Sequence, residues 1–356
     1  MSEAHGGSGR LHTSPAAWGR RGRRAPAAGG VLLLVGTGGQ HPAYVRTALA
    51  ELTRTWRLAL ADPAPISPGL ENYISEHIRP AQMTLRAMEA MLRVREDPRP
   101  ICAVIALDPS MTALSARVAH ELGLPGYGGA AAELAAFPAR ALGALAAAGL
   151  PIAPSLPAEL IADCLISRYH PFVAALTRTL QPGRAVLDEV VDVDDEALKD
   201  ARLHQLITHA LQVLGVQNGL TRLHLRHDGR RYVITGLTPG LGRDLGRTVG
   251  LATGINLVRE LATIACGLPD ARDLPYTECA VARRAWLPSP PPTPAVGQIV
   301  DRMLGMSWLH ELIPPSAADP AHRQGAEAIV TGGDAEQCEQ WLRRLQNVLA
   351  EALWGE

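Results

Sequence analysis

The chain has 356 residues, enough for two or three domains, and its 47% hydrophobic and 19% charged content is ordinary for a soluble globular protein. A formal net charge of −1 gives no general attraction to nucleic acid or acidic membranes, and no apolar run approaches the roughly 20 residues that span a bilayer. The five cysteines, Cys102, Cys164, Cys266, Cys279 and Cys338, include no C-x-x-C pair, which fits a reducing cytoplasm and argues against a disulfide framework or zinc ribbon.

Residues 1–28 are rich in Arg, Gly, Ala and Pro and are expected to form a disordered basic tail. Val31–Val35, an apolar run ending in glycine, predicts a buried parallel strand, and is too short for the apolar part of an export signal. The spacing then predicts a helix over His41–Arg57 with Val45, Leu49 and Leu52 inward, and a strand at Leu58–Ala61. Next come a helix over Arg79–Arg95 with Met83, Met88, Met91 and Leu92 inward, a strand at Ile101–Leu107, and a helix over Met111–Leu122 stopped by Gly123. This alternation predicts an α/β unit with a doubly wound parallel sheet. Gly36-x-Gly38 lacks the third glycine of a dinucleotide fingerprint, because His41 stands there, so it reads as a tight turn.

Beyond residue 155 the pattern changes. Short strands are expected at Asp163–Ser167 and Phe172–Thr177, then a helix over Glu196–Leu214 with Leu198, Ala201, Leu206, Ala210 and Leu214 on one face. Asp188-Glu189 and Asp192 to Glu196 read as a solvated acidic loop and helix start. Asp228-Gly229 predicts a type I′ hairpin joining Leu220–Arg226 to Arg231–Ile234, with Leu223 and Leu225 on one face and Arg222, His224 and Arg226 on the other. A helix over Arg247–Cys266, a Pro-rich linker at 288–294, and a strand and helix at Ala328–Thr331 and Asp334–Leu349 complete the chain, with Asp334 and Gln337 as a capping box. His204/His209 and His224/His227 have spacings that do not make a zinc motif, and Ser167 and Ser307 lack a nucleophile elbow.

Several segments together resemble the ATP-grasp carboxylate–amine ligases of the amino-acid-ligase type. They are Glu121 to Gly126, Ala148 to Pro154, Glu159 to Ser167, Val213 to Gly219, Pro239 to Leu245 and Leu251 to Leu257, in the family's order over about two thirds of the chain. The resemblance implies a Rossmann-like N-terminal domain (29–126), an ATP-grasp domain (127–270) and a small C-terminal lobe (271–356). It also implies amide-bond formation through a carboxylate phosphorylated by ATP, with magnesium held by carboxylates and an asparagine.

Two departures change that expectation. Glu159 follows Pro154 almost at once, where the family inserts its first ATP-binding subdomain with the phosphate-binding lysines; the only lysine here is Lys199. The alignment also puts His224, Gly236 and Thr238 at the family's metal-ligand positions and Gly240 at its substrate arginine, and Arg231–Arg243 contains no acid. The expectation is a truncated, degenerate family member that needs no cofactor and binds a ligand or partner in small-molecule biosynthesis. The alternatives are an active ligase using ATP and magnesium in a rearranged or partner-completed site, and an enzyme doing ATP-independent chemistry in the remaining cleft. Arg178 and Arg243 are the candidate grips for a small carboxylate or phosphate. Apolar surface bared around Leu160, Leu165 and Phe172 is expected to be covered by a second copy or another protein.

Overall fold

The computed structural model describes residues 30–37, 40–182, 187–268, 280–288, 300–314 and 325–354. The expected basic tail, Gly38 and most of the Pro-rich linker lie outside the described residues.

Strands β1 (Val31–Val35), β2 (Arg57–Ala61), β3 (Glu76–Ile78) and β4 (Ile101–Ala106) form a parallel sheet in the order β3-β2-β1-β4. Every β1 residue is fully buried, the reason this strand carries no polar alternation. Helices α1 (Pro42–Thr53), α2 (Leu85–Arg93) and α3 (Thr112–Glu121) follow the expected order with shorter ends. Val45, Leu49, Leu52 and Met88 point inward, while Met83, Met91 and Leu92 are only partly buried.

Helices α4 (Gly129–Ala135) and α5 (Pro138–Ala147) lead to a second sheet. Its strands are β5 (Leu160–Ser167), β6 (His170–Thr179), β7 (Asp188–Val191), β8 (Gly219–His227), β9 (Tyr232–Pro239), β10 (Val281–Leu287), β11 (Leu309–Ile313) and β12 (Ala326–Gly332). The order is β11-β12-β10-β7-β6-β5-β8-β9, antiparallel throughout. Helices α6 (Ala201–Leu214), α7 (Arg247–Thr253), α8 (Leu257–Ala265) and α9 (Ala335–Trp354) complete the description. Residues 148–159 join α5 to β5 with no regular element beyond the isolated Ile152–Ile234 bridge.

Strand alternation gives the second sheet two apolar faces. Leu160, Ala162, Cys164 and Ile166 of β5 pack with α4, α5 and α6. Leu165 and Leu220 face the opposite way, into a core shared with α1, α7, α8 and the first sheet. Leu160 and Leu165 are therefore 3% and 4% exposed and Phe172 packs half-buried against that core, so the apolar surface expected there is covered from within the chain. A third core forms where α9 packs on β10 and β12.

Other expectations are corrected. Asp188–Val191 is a strand inside the sheet, because Asp188 pairs with Arg283 of β10 at 2.9 and 3.0 Å. The helix expected from Glu196 begins at Ala201, after a separate turn capped by Asp195, and buries Leu203, Ile207 and Leu211 in place of Ala201 and Leu206. The helix expected over Arg247–Cys266 breaks at Gly254, and Asn256 restarts it by accepting from Arg259 N. Asp228 N donates to Arg231 O, so Gly229 and Arg230 are the central turn residues, and Gly229 alone of the pair has positive φ (92°). That differs from the expected I′ turn, in which both central residues have positive φ. In the capping box, Gln337 N donates to Asp334 Oδ1, but the Gln337 side chain accepts from Gly333 N.

Candidate functional site

The β8–β9 hairpin brings three of the sequence-identified positions together. His224 lies opposite Gly236, and its ring Nε2 is 3.1 Å from Thr238 Oγ1. Burial, followed by the neighbouring Arg222 charge, pushes the His224 pKa down to about 4, so the ring is neutral at pH 7.

Beside this pair, beginning at Arg222 on the same face of β8, lies a layer of buried charge that the sequence reading did not single out. Arg222 Nε donates to Asp163 Oδ1 at 2.9 Å across the β5–β8 register. Gly242 makes room for this arginine, since a Cβ there would stand 2.7 Å from Arg222 Nη1. Asp244, in the turn before α7, accepts from Gly246 N, Thr248 N and Thr248 Oγ1 at 3.1, 2.9 and 2.6 Å. Further along the sheet, Arg284 Nε donates to Glu327 Oε1 at 2.6 Å, and Arg284 Nη1 lies 3.5 Å from Glu189 Oε2. Tyr44 of α1 donates to the same Glu327 oxygen at 2.5 Å, joining the first sheet's helix layer to the second sheet.

Electrostatics keep this layer charged. Burial opposes the Arg222 cation, but Asp163, Glu189 and Asp244 outweigh it and hold its pKa above the ordinary arginine value. Burial likewise opposes the Arg284 charge, and Glu327 and Asp244 overcome it. Burial pushes Asp244 up, while Arg284 and the Thr248 hydroxyl and N–H bring it below the usual carboxylate range. The signal was legible in part: Asp163 and Arg284 each interrupt an apolar strand sequence, where a charge needs a buried partner. Their partners are distant in sequence, which hid them.

The remaining candidates are placed elsewhere. Arg178 of β6 grips Asp195 with two hydrogen bonds, 2.5 and 2.8 Å, so its fork is already engaged. Arg243 is exposed just before α7, and Gly240 packs by Thr112. Lys199 is on the surface beside Glu196.

The donor set does not fit magnesium-ATP. His224, Gly236 and Thr238 present no carboxylate oxygen, and among the described residues no three His, Cys, Asp or Glu side chains are grouped to hold a metal ion. The oxygens of Asp163 and Asp244 are taken by Arg222, Thr177 and the start of α7. A hollow of about 390 Å³ lies between β6 and α6, lined by Phe172, Leu198, Lys199, His204 and Ile207. No described single helix is long and apolar enough to cross a membrane.

No protein-family model and no curated protein sequence matches the chain. Solved structures do. An L-amino acid ligase from Bacillus licheniformis superposes with a TM-score of 0.72 at 13% identity, over 90% of this chain and 98% of that one. A phosphoribosylglycinamide synthetase from Anaerococcus prevotii gives 0.69 at 12%, with the same coverage. An N5-carboxyaminoimidazole ribonucleotide synthetase from Thermus thermophilus gives 0.64 at 15%, again over 90% and 98% of the two chains. At these identities the likeness establishes the fold.

Proposed function

We propose that this chain, which has the ATP-grasp carboxylate–amine ligase fold, is a ligand- or partner-binding protein with no ATP-dependent ligase activity of its own. The observation that carries this reading is the charge balance of the layer beside His224 and Thr238. Its arginines, Arg222 and Arg284, are both paired, against the four carboxylates Asp163, Glu189, Asp244 and Glu327. Phosphoryl transfer concentrates negative charge and needs unpaired cations or a metal to receive it. The direct passage of residues 148–159 from α5 to β5 also supports a truncated ATP-binding region.

The test is ADP release by the full chain with magnesium, ATP and a mixture of amino acids. The expected result is release no faster than in the protein-free control. Amino-acid-dependent ADP release by the purified chain would overturn the reading. A second reading, an active ligase with a rearranged or partner-completed site, is favoured by the superposition over 98% of the L-amino acid ligase chain. It predicts amino-acid-dependent ADP release, by the chain alone or once the partner is added.

A further inference from the structure

We propose that Cys102 and Cys266 form an oxidant-responsive dithiol that closes to a disulfide and fastens α8 to the first sheet. Cys102 stands on β4 and Cys266 directly follows α8; although 164 positions apart in sequence, their Sγ atoms lie 3.9 Å from each other. Both residues are half-buried, whereas Cys164 and Cys338 are buried, and thiol oxidation follows exposure as well as thiolate character. A disulfide needs an S–S distance of about 2.05 Å, a closure that side-chain rotation and a small backbone shift supply.

The surroundings divide the roles between the two sulfurs. The Cys266 S–H is directed at Cys102 Sγ, and the N–H groups of Cys102 and Ala103 also face it; together they outweigh burial and hold the Cys102 thiol below its usual range. The hydrogen bond to Cys102 and burial push the Cys266 thiol well up, although Trp56 opposes this. In the reduced form the Val31 carbonyl accepts from Cys102 Sγ at 3.4 Å. Cys102 is therefore the attacking thiolate and Cys266 the resolving thiol.

With hydrogen peroxide as the oxidant, the Cys102 thiolate attacks one peroxide oxygen. The O–O bond breaks, and hydroxide leaves and takes up a proton as water. Cys266 then attacks the sulfenic sulfur, losing its proton, and a second water leaves as the S–S bond forms. Two thiols are oxidised by two electrons, and one peroxide is reduced to two waters. The bond matters to the fold because α8 packs against α1, β4, β5 and β8, between the two sheets. A disulfide at its end fixes that helix to β4.

The experiment uses the full chain, reduced, freed of reductant and exposed to hydrogen peroxide. Remaining thiols are alkylated under denaturing conditions, and unreduced peptides are examined by mass spectrometry. The expected result is a Cys102–Cys266 cross-linked peptide, with a melting temperature raised on the order of 5 °C or more by closure of so long a loop. In Cys266→Ser the cross-link and the thermal gain should both vanish, and Cys102 should become trappable by dimedone as sulfenic acid. Recovery of both cysteines separately alkylated, or over-oxidised without cross-linking, would overturn the proposal. So would a cross-link that uses Cys279 instead of either partner. Should Cys266→Ser fail to fold, the wild-type peptide alone decides.

Discussion

Asp163 sits within an apolar strand, 2% exposed, with its carboxylate against Arg222. Burial lifts its pKa above the usual carboxylate range, and Arg222 offsets only part of this by favouring the anion. Removing one member of such a pair strands the other charge in the interior, a loss of about 3–5 kcal/mol. Asp163→Ala is therefore expected to destabilise by that amount in urea unfolding; a loss under about 1 kcal/mol would mean that Arg222 finds water or another acid. His224 provides a pH signature. Its folded-state pKa of about 4 lies below the free value, so between these values the unfolded chain binds a proton that the native chain refuses. Stability is complete above about pH 6.5 and is lost as pH falls toward 4, with about 2 kcal/mol gone near pH 5. His224→Gln should lose less stability than wild type over the same interval. Equal losses in the two proteins would remove His224 from the account.

At the scale of elements, the turn between β8 and β9 depends on Gly229, whose φ is 92°. A Cβ there meets nothing within 4 Å, so the cost of a side chain is backbone strain alone. Gly229→Val should destabilise by about 1–3 kcal/mol, measured by thermal unfolding; no change would mean that the turn rearranges freely. Leu165, expected from sequence to lie on a bared surface, is instead 4% exposed in the core under α8. Leu165→Asp should then prevent stable folding, where a soluble, cooperatively unfolding variant would contradict the packing. The strands with unbroken apolar runs, β1 and β4, were legible, as was the alternation of β8. Strand β7 was not, because its acids look solvated until Arg283 is placed beside Asp188. The break between α7 and α8 was also missed, since Gly254 interrupts an otherwise helical apolar pattern.

The whole molecule brings a parallel four-stranded sheet and an antiparallel eight-stranded sheet against one shared core. The order of segments pointed to an α/β chain of the ATP-grasp type, and the superpositions bear out that fold, whereas the single eight-stranded sheet was not foreseen. The site was less legible. His224, Gly236 and Thr238 could be found by their place in the hairpin, but the charged layer beside them depends on pairings across distant strands. Those pairings leave its arginines no free charge for a nucleotide, which is the centre of the functional account. Calorimetric titration of ATP into the full chain, with magnesium and again with EDTA, tests that point most directly. The account predicts no heat beyond dilution up to millimolar ATP under either condition. A dissociation constant tighter than about 100 µM, near −5.5 kcal/mol, that disappears with EDTA would contradict it.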